Sequence, residues 1–234
     1  SAAPAPVPEG VATAQTALAG LARLRPSAPF RARAIALQGD AATIWVAGEL
    51  SAPAATAGAA EISVSAGGTT ESATAALAAG QRGFVVPLPL KRRLTEPVDV
   101  RVRIAQPPGL PPLTDMIRVD AGAGLAHPLL FRRGPSTGNR VEPVAEPSFS
   151  RTERARFDLP GAAVKLTAAR ILDRNGAPIE LPITLSERTD AGGQRWSTAE
   201  VILAALAPGD YIIELSDAGG GAEQKVLTAF RVTR

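Results

Sequence analysis

The chain has no cysteine, one histidine (His127), one tyrosine (Tyr211), one methionine and two tryptophans, Trp45 and Trp196. Without thiols there is no disulfide framework, no thiolate nucleophile and no iron–sulfur cluster. With a single imidazole, an ordinary Cys/His zinc site is excluded as well. Neither a metal nor any other cofactor is therefore expected. Lysine is also scarce, since 22 of the 25 basic residues are arginine and only Lys91, Lys165 and Lys225 remain. No run approaches the ~18 apolar residues that a membrane-spanning helix needs. The 22 Gly and 21 Pro among 234 residues fall short of a low-complexity composition, and 45% hydrophobic residues are enough to build a core.

The 25 bases face 22 acids, so the net charge is only +3 despite a pI near 9.9. That balance is a weak electrostatic footprint, and Lys91-Arg92-Arg93 is too short a basic run to hold a nucleic acid without aromatic or groove-fitting partners. No nucleic-acid partner is expected. Ser1 to Pro8 reads as an Ala/Pro linker without the basic and apolar regions of a signal peptide, and the chain starts without Met. The expectation is a piece of a longer polypeptide.

One stretch carries a helical period: Val11, Ala14, Leu18, Leu21 and Leu24 recur on one face before Pro26. Its apolar stripe needs a surface to cover, either the sandwich that follows or a domain upstream. From Pro29 the period becomes two. Val98, Val100, Val102 and Ile104 alternate with Asp99, Arg101 and Arg103, and Ile44, Val46 and Leu50 alternate with Thr43, Trp45 and Glu49. With FRARAIAL, the run around Ile62 and Val64, SATAALAAG (alternatively a short helix), GFVVPLPL and DMIRV, about seven short strands are punctuated by Gly and Pro. After the Gly-rich segment 121–126 a second series begins. Asn175-Gly176 predicts a hairpin turn, and Pro182 marks an edge strand or bulge. The turn Leu206-Ala-Pro-Gly-Asp-Tyr211 before alternating Ile213 and Leu215 has the form of a tyrosine corner, in which a buried Tyr211 hydroxyl bonds back to upstream backbone. The expected fold is all-β: a linker and short N-terminal helix (1–28), then two tandem immunoglobulin-like or fibronectin-type β-sandwiches at 29–122 and 123–234.

Several phrases in order carry a resemblance: Leu129 to Pro160, then ARILDRNGAPIELPITLSER, LAALAPGDYIIELS and the terminal AFRVTR. They resemble the C-terminal region of bacterial von Willebrand factor A-related domain proteins of the acidobacterial type. The resemblance spans roughly Pro29 to Arg234 and implies an upstream metal-binding A domain and an extracytoplasmic, secreted or cell-envelope location. The family's Asp-x-Ser-x-Ser metal motif is absent; its nearest echo, Glu61-Ile-Ser63-Val-Ser65, reads as the polar face of a strand.

Catalytic signals are thin. No Gly-x-Ser-x-Gly surrounds any serine, His127 precedes Pro128 in a linker, and the acids are scattered singly on strand faces and turns, so no enzyme is expected. Gly219-Gly220-Gly221 lacks the Lys-Ser/Thr of a phosphate loop, and Asp173-Arg-Asn175-Gly176 lacks the spaced acids of a calcium loop. Three candidate groups remain. Trp45 and Trp196 could form a stacking platform for a carbohydrate or cell-wall ligand, the alternative to a protein-interaction or spacer module. Tyr211 is the structural corner. Arg132, Arg133, Arg140, Arg151, Arg154 and Arg156, interleaved with Glu142, Glu146 and Glu153, form either a seam pinned against the sandwiches or a surface for an acidic partner. The expected partner is a protein, or the upstream A domain of the same chain.

Overall fold

The computed structural model describes residues 9–21, 28–66, 68–121, 127–161, 164–217 and 224–234. The chain runs through helix α1 (Glu9–Ala19) and then strands β1 (Phe30–Leu37), β2 (Thr43–Leu50), β3 (Gly58–Ala66), β4 (Thr69–Leu77), β5 (Gly83–Pro89), β6 (Val98–Ile104) and β7 (Leu113–Val119). It continues with β8 (Leu129–Arg133), β9 (Glu142–Val144), β10 (Ser148–Ser150), β11 (Arg154–Pro160), β12 (Leu166–Leu172) and β13 (Pro178–Ile179). The last strands are β14 (Ile183–Thr189), β15 (Arg195–Ile202), β16 (Gly209–Asp217) and β17 (Gln224–Thr233).

β1 to β7 form a sandwich of a three-stranded sheet, β1-β2-β5, on a four-stranded sheet, β4-β3-β6-β7. Lettered A, B, C, C′, E, F and G in chain order, these are the ABE and C′CFG sheets of a fibronectin-type sandwich. Its core joins Phe30, Ile44 and Val46 to Ile62, Val64, Val100 and Val102. Gly48 is required here: a Cβ would lie 2.3 Å from the Phe84 ring, which stacks on Phe30 at 6.3 Å. SATAALAAG contributes to β4 as a strand, not a helix, because it pairs along its length with β3.

The second sandwich sets β14-β15-β11-β8-β9 against β10-β17-β16-β12-β13. β14, β15, β11 and β8 stand in the D-E-B-A order of an immunoglobulin sheet and β17, β16 and β12 in the G-F-C order, with short β10 added parallel to β17. Both sandwiches are immunoglobulin-like. Phe149, Phe157 and Phe230 meet in the second core at 5.6 to 6.3 Å between ring centres. The run IELPITLSE is broken into β13 and β14 because the chain crosses between the two sheets at Pro182, where no ladder amide is needed. At Asn175-Gly176 the turn closes through Asp173, whose Oδ1 accepts from the amides of Asn175 and Ala177 at 2.8 Å. Gly176 takes the left-handed φ of 79° there.

Helix α1 corrects the sequence expectation in two respects. It ends at Ala19, followed by a turn at Gly20, short of the predicted Leu24, which lies outside the described residues. Its described stripe residues turn to the second sandwich, not to the sandwich that follows. Ala14, Ala17, Leu18 and Leu21 pack on Leu172, Ile212, Leu227 and Ala229 of the second sandwich. The physical reason is that the outer face of β12, β16 and β17 is itself apolar at these positions and would otherwise be open to water.

Candidate functional site: the seam between the sandwiches

The outer face of β1-β2-β5 is not a solvent face. Ile35, Trp45, Ala47 and Val85 project from it onto Leu129 and Phe131 of β8 and Trp196 of β15. Trp45 and Trp196 meet edge to face with ring centres 4.8 Å apart, and only 8% and 2% of their surfaces remain exposed. A sugar platform needs open indole faces, so the ligand-platform expectation for these two residues is corrected: each tryptophan covers the other. Trp196 Nε1 donates to Asp190 Oδ2 at 3.0 Å, whereas Trp45 Nε1 is enclosed with no partner. At one end of this contact Gly83 of β5 approaches Pro143 of β9 so closely that a Cβ would lie 2.7 Å from the Pro143 ring.

Beside the apolar contact lies an ionic one. Glu49, on β2, receives Arg132 Nη2 of β8 at 2.5 Å on Oε1, while its Oε2 accepts from the amides of Ala145 (2.9 Å) and Glu146 (3.3 Å). Burial pushes the Glu49 carboxyl above the ordinary carboxylate range, against the opposing pull of Arg132 and the two amides. Arg132 also lies 3.9 Å from Glu153, whose carboxylate is held by the Ser136 hydroxyl (2.5 Å) and the Ser150 amide (2.8 Å). One guanidinium thus links the first sandwich to two segments of the second.

The other arginines divide by position. Arg156 covers the Phe131 ring at 4.5 Å and pairs with Asp158 at 3.0 Å; Arg188 covers Trp196 at 5.0 Å and reaches the same carboxylate at 2.7 Å. Asp158 is fully buried between them, and burial raises its carboxyl above the usual range while lowering Arg156. Arg154 pairs across strands with Glu200 at 3.2 Å, and Arg151 Nη2 donates to the Ala204 carbonyl at 2.8 Å. Arg133 is exposed at the end of β8, and exposed Arg140 lies 3.7 Å from Glu142. Glu49, Asp158 and Arg188 are the seam residues that pattern reading passes over. For Glu49 the signal is the unbroken apolar run Ile44-Trp-Val-Ala47 of its own strand, which marks a strand covered on both faces; Asp158 and Arg188 carry none.

Tyr211 donates to the Ala207 carbonyl at 2.8 Å and packs on Phe230 at 5.9 Å. It is half-buried, not largely buried, because β16 begins at the open end of the sandwich. Glu61, Ser63 and Ser65 stand on β3, where Glu61 pairs with Arg103 at 3.1 Å and Ser65 bonds Thr70 at 2.9 Å. Gly219-Gly220-Gly221 lies outside the described residues. Among the described residues no three His, Asp or Glu side chains gather where they could hold a metal, and no helix is long and apolar enough to cross a membrane.

No family model and no curated protein matches the chain. Among solved structures it is similar to bovine butyrophilin at 12% identity, over 87% of this chain and 99% of that one, with a TM-score of 0.29. A likeness that loose carries no weight beside the strand order, on which the immunoglobulin-like assignment rests.

Proposed function

We propose that the chain is a non-catalytic interaction and spacer module, a stiff pair of immunoglobulin-like sandwiches that holds its loops and edge strands at a set distance and angle for a protein partner. The observation that carries this reading is the enclosed seam of Trp45, Trp196, Arg132 and Glu49, since flexible tethering would leave these groups wet. The resemblance of roughly Pro29 to Arg234 to von Willebrand factor A-related proteins supports a place at the C-terminal end of a larger, exported A-domain protein. In that setting the upstream A domain is itself a candidate partner.

The rigid part of the proposal is tested by ¹⁵N relaxation of the whole chain. Both sandwiches should report one rotational correlation time, and Trp45→Ala combined with Glu49→Ala should give two shorter ones. Two independent times in the unaltered protein would defeat the spacer reading. The placement is tested by the full reading frame of the gene, which should encode an export signal and an A domain with Asp-x-Ser-x-Ser before Ser1.

A further inference from the structure

A second feature lies on the other side of the junction and is independent of the proposed function. Helix α1, strands β1 and β7 of the first sandwich and β17 of the second enclose an open cleft of about 970 Å³, at the upper end of the ~300 to 1,000 Å³ common for small-molecule sites. Its walls are largely apolar, with Leu21, Ile117, Val226 and Leu227 among them. Into this cleft the sequence places Arg33, His127, Thr228 and Lys225.

Arg33 is the anomaly. Its Nε is enclosed with no hydrogen-bond partner, and among the described residues no carboxylate pairs with it. Arg33 is half-buried, and this partial burial, with no carboxylate beside it, lowers its pKa to about 10. The acids bordering the cleft are committed elsewhere or held apart: Asp115 Oδ2 accepts from the Ala32 amide at 2.8 Å, and Asp120 acts on His127. The remaining polar groups are milder. Lys225 lies 3.8 Å from Glu214, a carboxylate that Arg170 also holds at 2.8 Å. His127 Nδ1 lies 3.4 Å from the Thr228 hydroxyl, and partial burial with the Arg33 charge lowers its pKa, which keeps it neutral at pH 7. Arg33 thus offers one positive charge that no carboxylate among the described residues answers, a match for a monoanion. The planar fork of arginine fits a carboxylate through two parallel hydrogen bonds.

We propose that this cleft binds an apolar molecule ending in a single carboxylate, with the carboxylate held by the Arg33 guanidinium and the apolar body lying along Ile117, Val226 and Leu227. The body can belong to a free small acid or to a peptide C-terminus, and the chemistry at Arg33 is the same.

The test titrates sodium octanoate into the whole chain by calorimetry and by ¹⁵N NMR, with the Arg33 side-chain Nε–H as the reporter. A peptide arm compares acetyl-Ala-Leu-Ala-Leu as the free acid and as the amide. Octanoate or the peptide acid should bind saturably and move the Arg33 signal, while octanol, the peptide amide and inorganic phosphate should bind about tenfold more weakly or less, as loss of a charge-assisted pair requires. Whichever acid binds more tightly identifies the source. Arg33→Met should cut affinity by about tenfold or more while leaving the unfolding temperature equal or higher, because it removes an enclosed, unpaired charge. Arg33→Gln is the second variant should the first fail to fold. The proposal is overturned if neither acid binds, if octanol or the amide binds as well as its acid, if phosphate displaces octanoate, or if affinity survives in a folded Arg33 variant.

Discussion

At the scale of single residues, Glu49 concentrates the seam's chemistry, because one carboxylate satisfies a guanidinium and two amides from the facing sandwich. Glu49→Ala should cost about 3 kcal/mol, leaving Arg132 with only its longer contact to Glu153 and two amides without acceptors, whereas Glu49→Gln keeps an acceptor and should cost about 1 kcal/mol. The pH dependence follows from the raised pKa. A carboxyl that binds its proton more tightly when folded contributes stability fully present below its ordinary value, near 4.5, and lost as the pH rises through the folded value. Urea unfolding from pH 4 to 8 should therefore show a decline in the unaltered protein that Glu49→Gln, which cannot titrate, removes in part; parallel curves would deny the shift. The tryptophans offer a second comparison. Trp45→Phe discards an N–H with no partner and should cost under about 1 kcal/mol beyond the lost ring volume, while Trp196→Phe also gives up the Asp190 bond and should cost about 1 kcal/mol more. Denaturation midpoints of the two variants give the difference directly.

At the scale of elements, β5 and β9 approach without a side chain between them at Gly83. Gly83→Ala places a methyl 2.6 Å from the Gly48 carbonyl and 2.7 Å from Pro143, so one strand must shift, and we expect a loss of about 1 to 3 kcal/mol by thermal unfolding. The same junction marks where pattern reading stops. β6 is plain in the sequence, since Val98, Val100, Val102 and Ile104 face the core while Asp99 and Arg101 stay exposed. The hairpin at Gly176 and the hydroxyl bond of Tyr211 are equally legible, because turn chemistry is local. β2 and β11 are different. Trp45 and Glu49 occupy positions that alternate as polar or outward and become interior only where the second sandwich lies across them, while Asp158 is closed in by Arg156 and Arg188 of its own sheet. A period of two identifies which residues share a face; what covers that face is a tertiary fact. Arg33 is hidden for the same reason, as is the docking surface of α1.

For the whole molecule, two sandwiches with separate cores would ordinarily unfold separately, and the seam ties them. Calorimetry should give a single transition for the unaltered chain, and Trp45→Ala with Glu49→Ala should split it into two, each retaining its own strand core. A single sharp transition in the double variant would mean that the coupling runs through another contact.

Helix α1 rests on the product of the last strand. Its floor includes Leu227 and Ala229 of β17, which leave the ribosome more than two hundred residues after Ala14. During synthesis this apolar stripe therefore emerges long before its floor, and the entire fibronectin-type sandwich folds inside a loop whose closure waits for β17. Truncated or stalled chains carry that stripe uncovered. The docked helix is in this sense a mark of progress, present only on polypeptides that have been made through to β17.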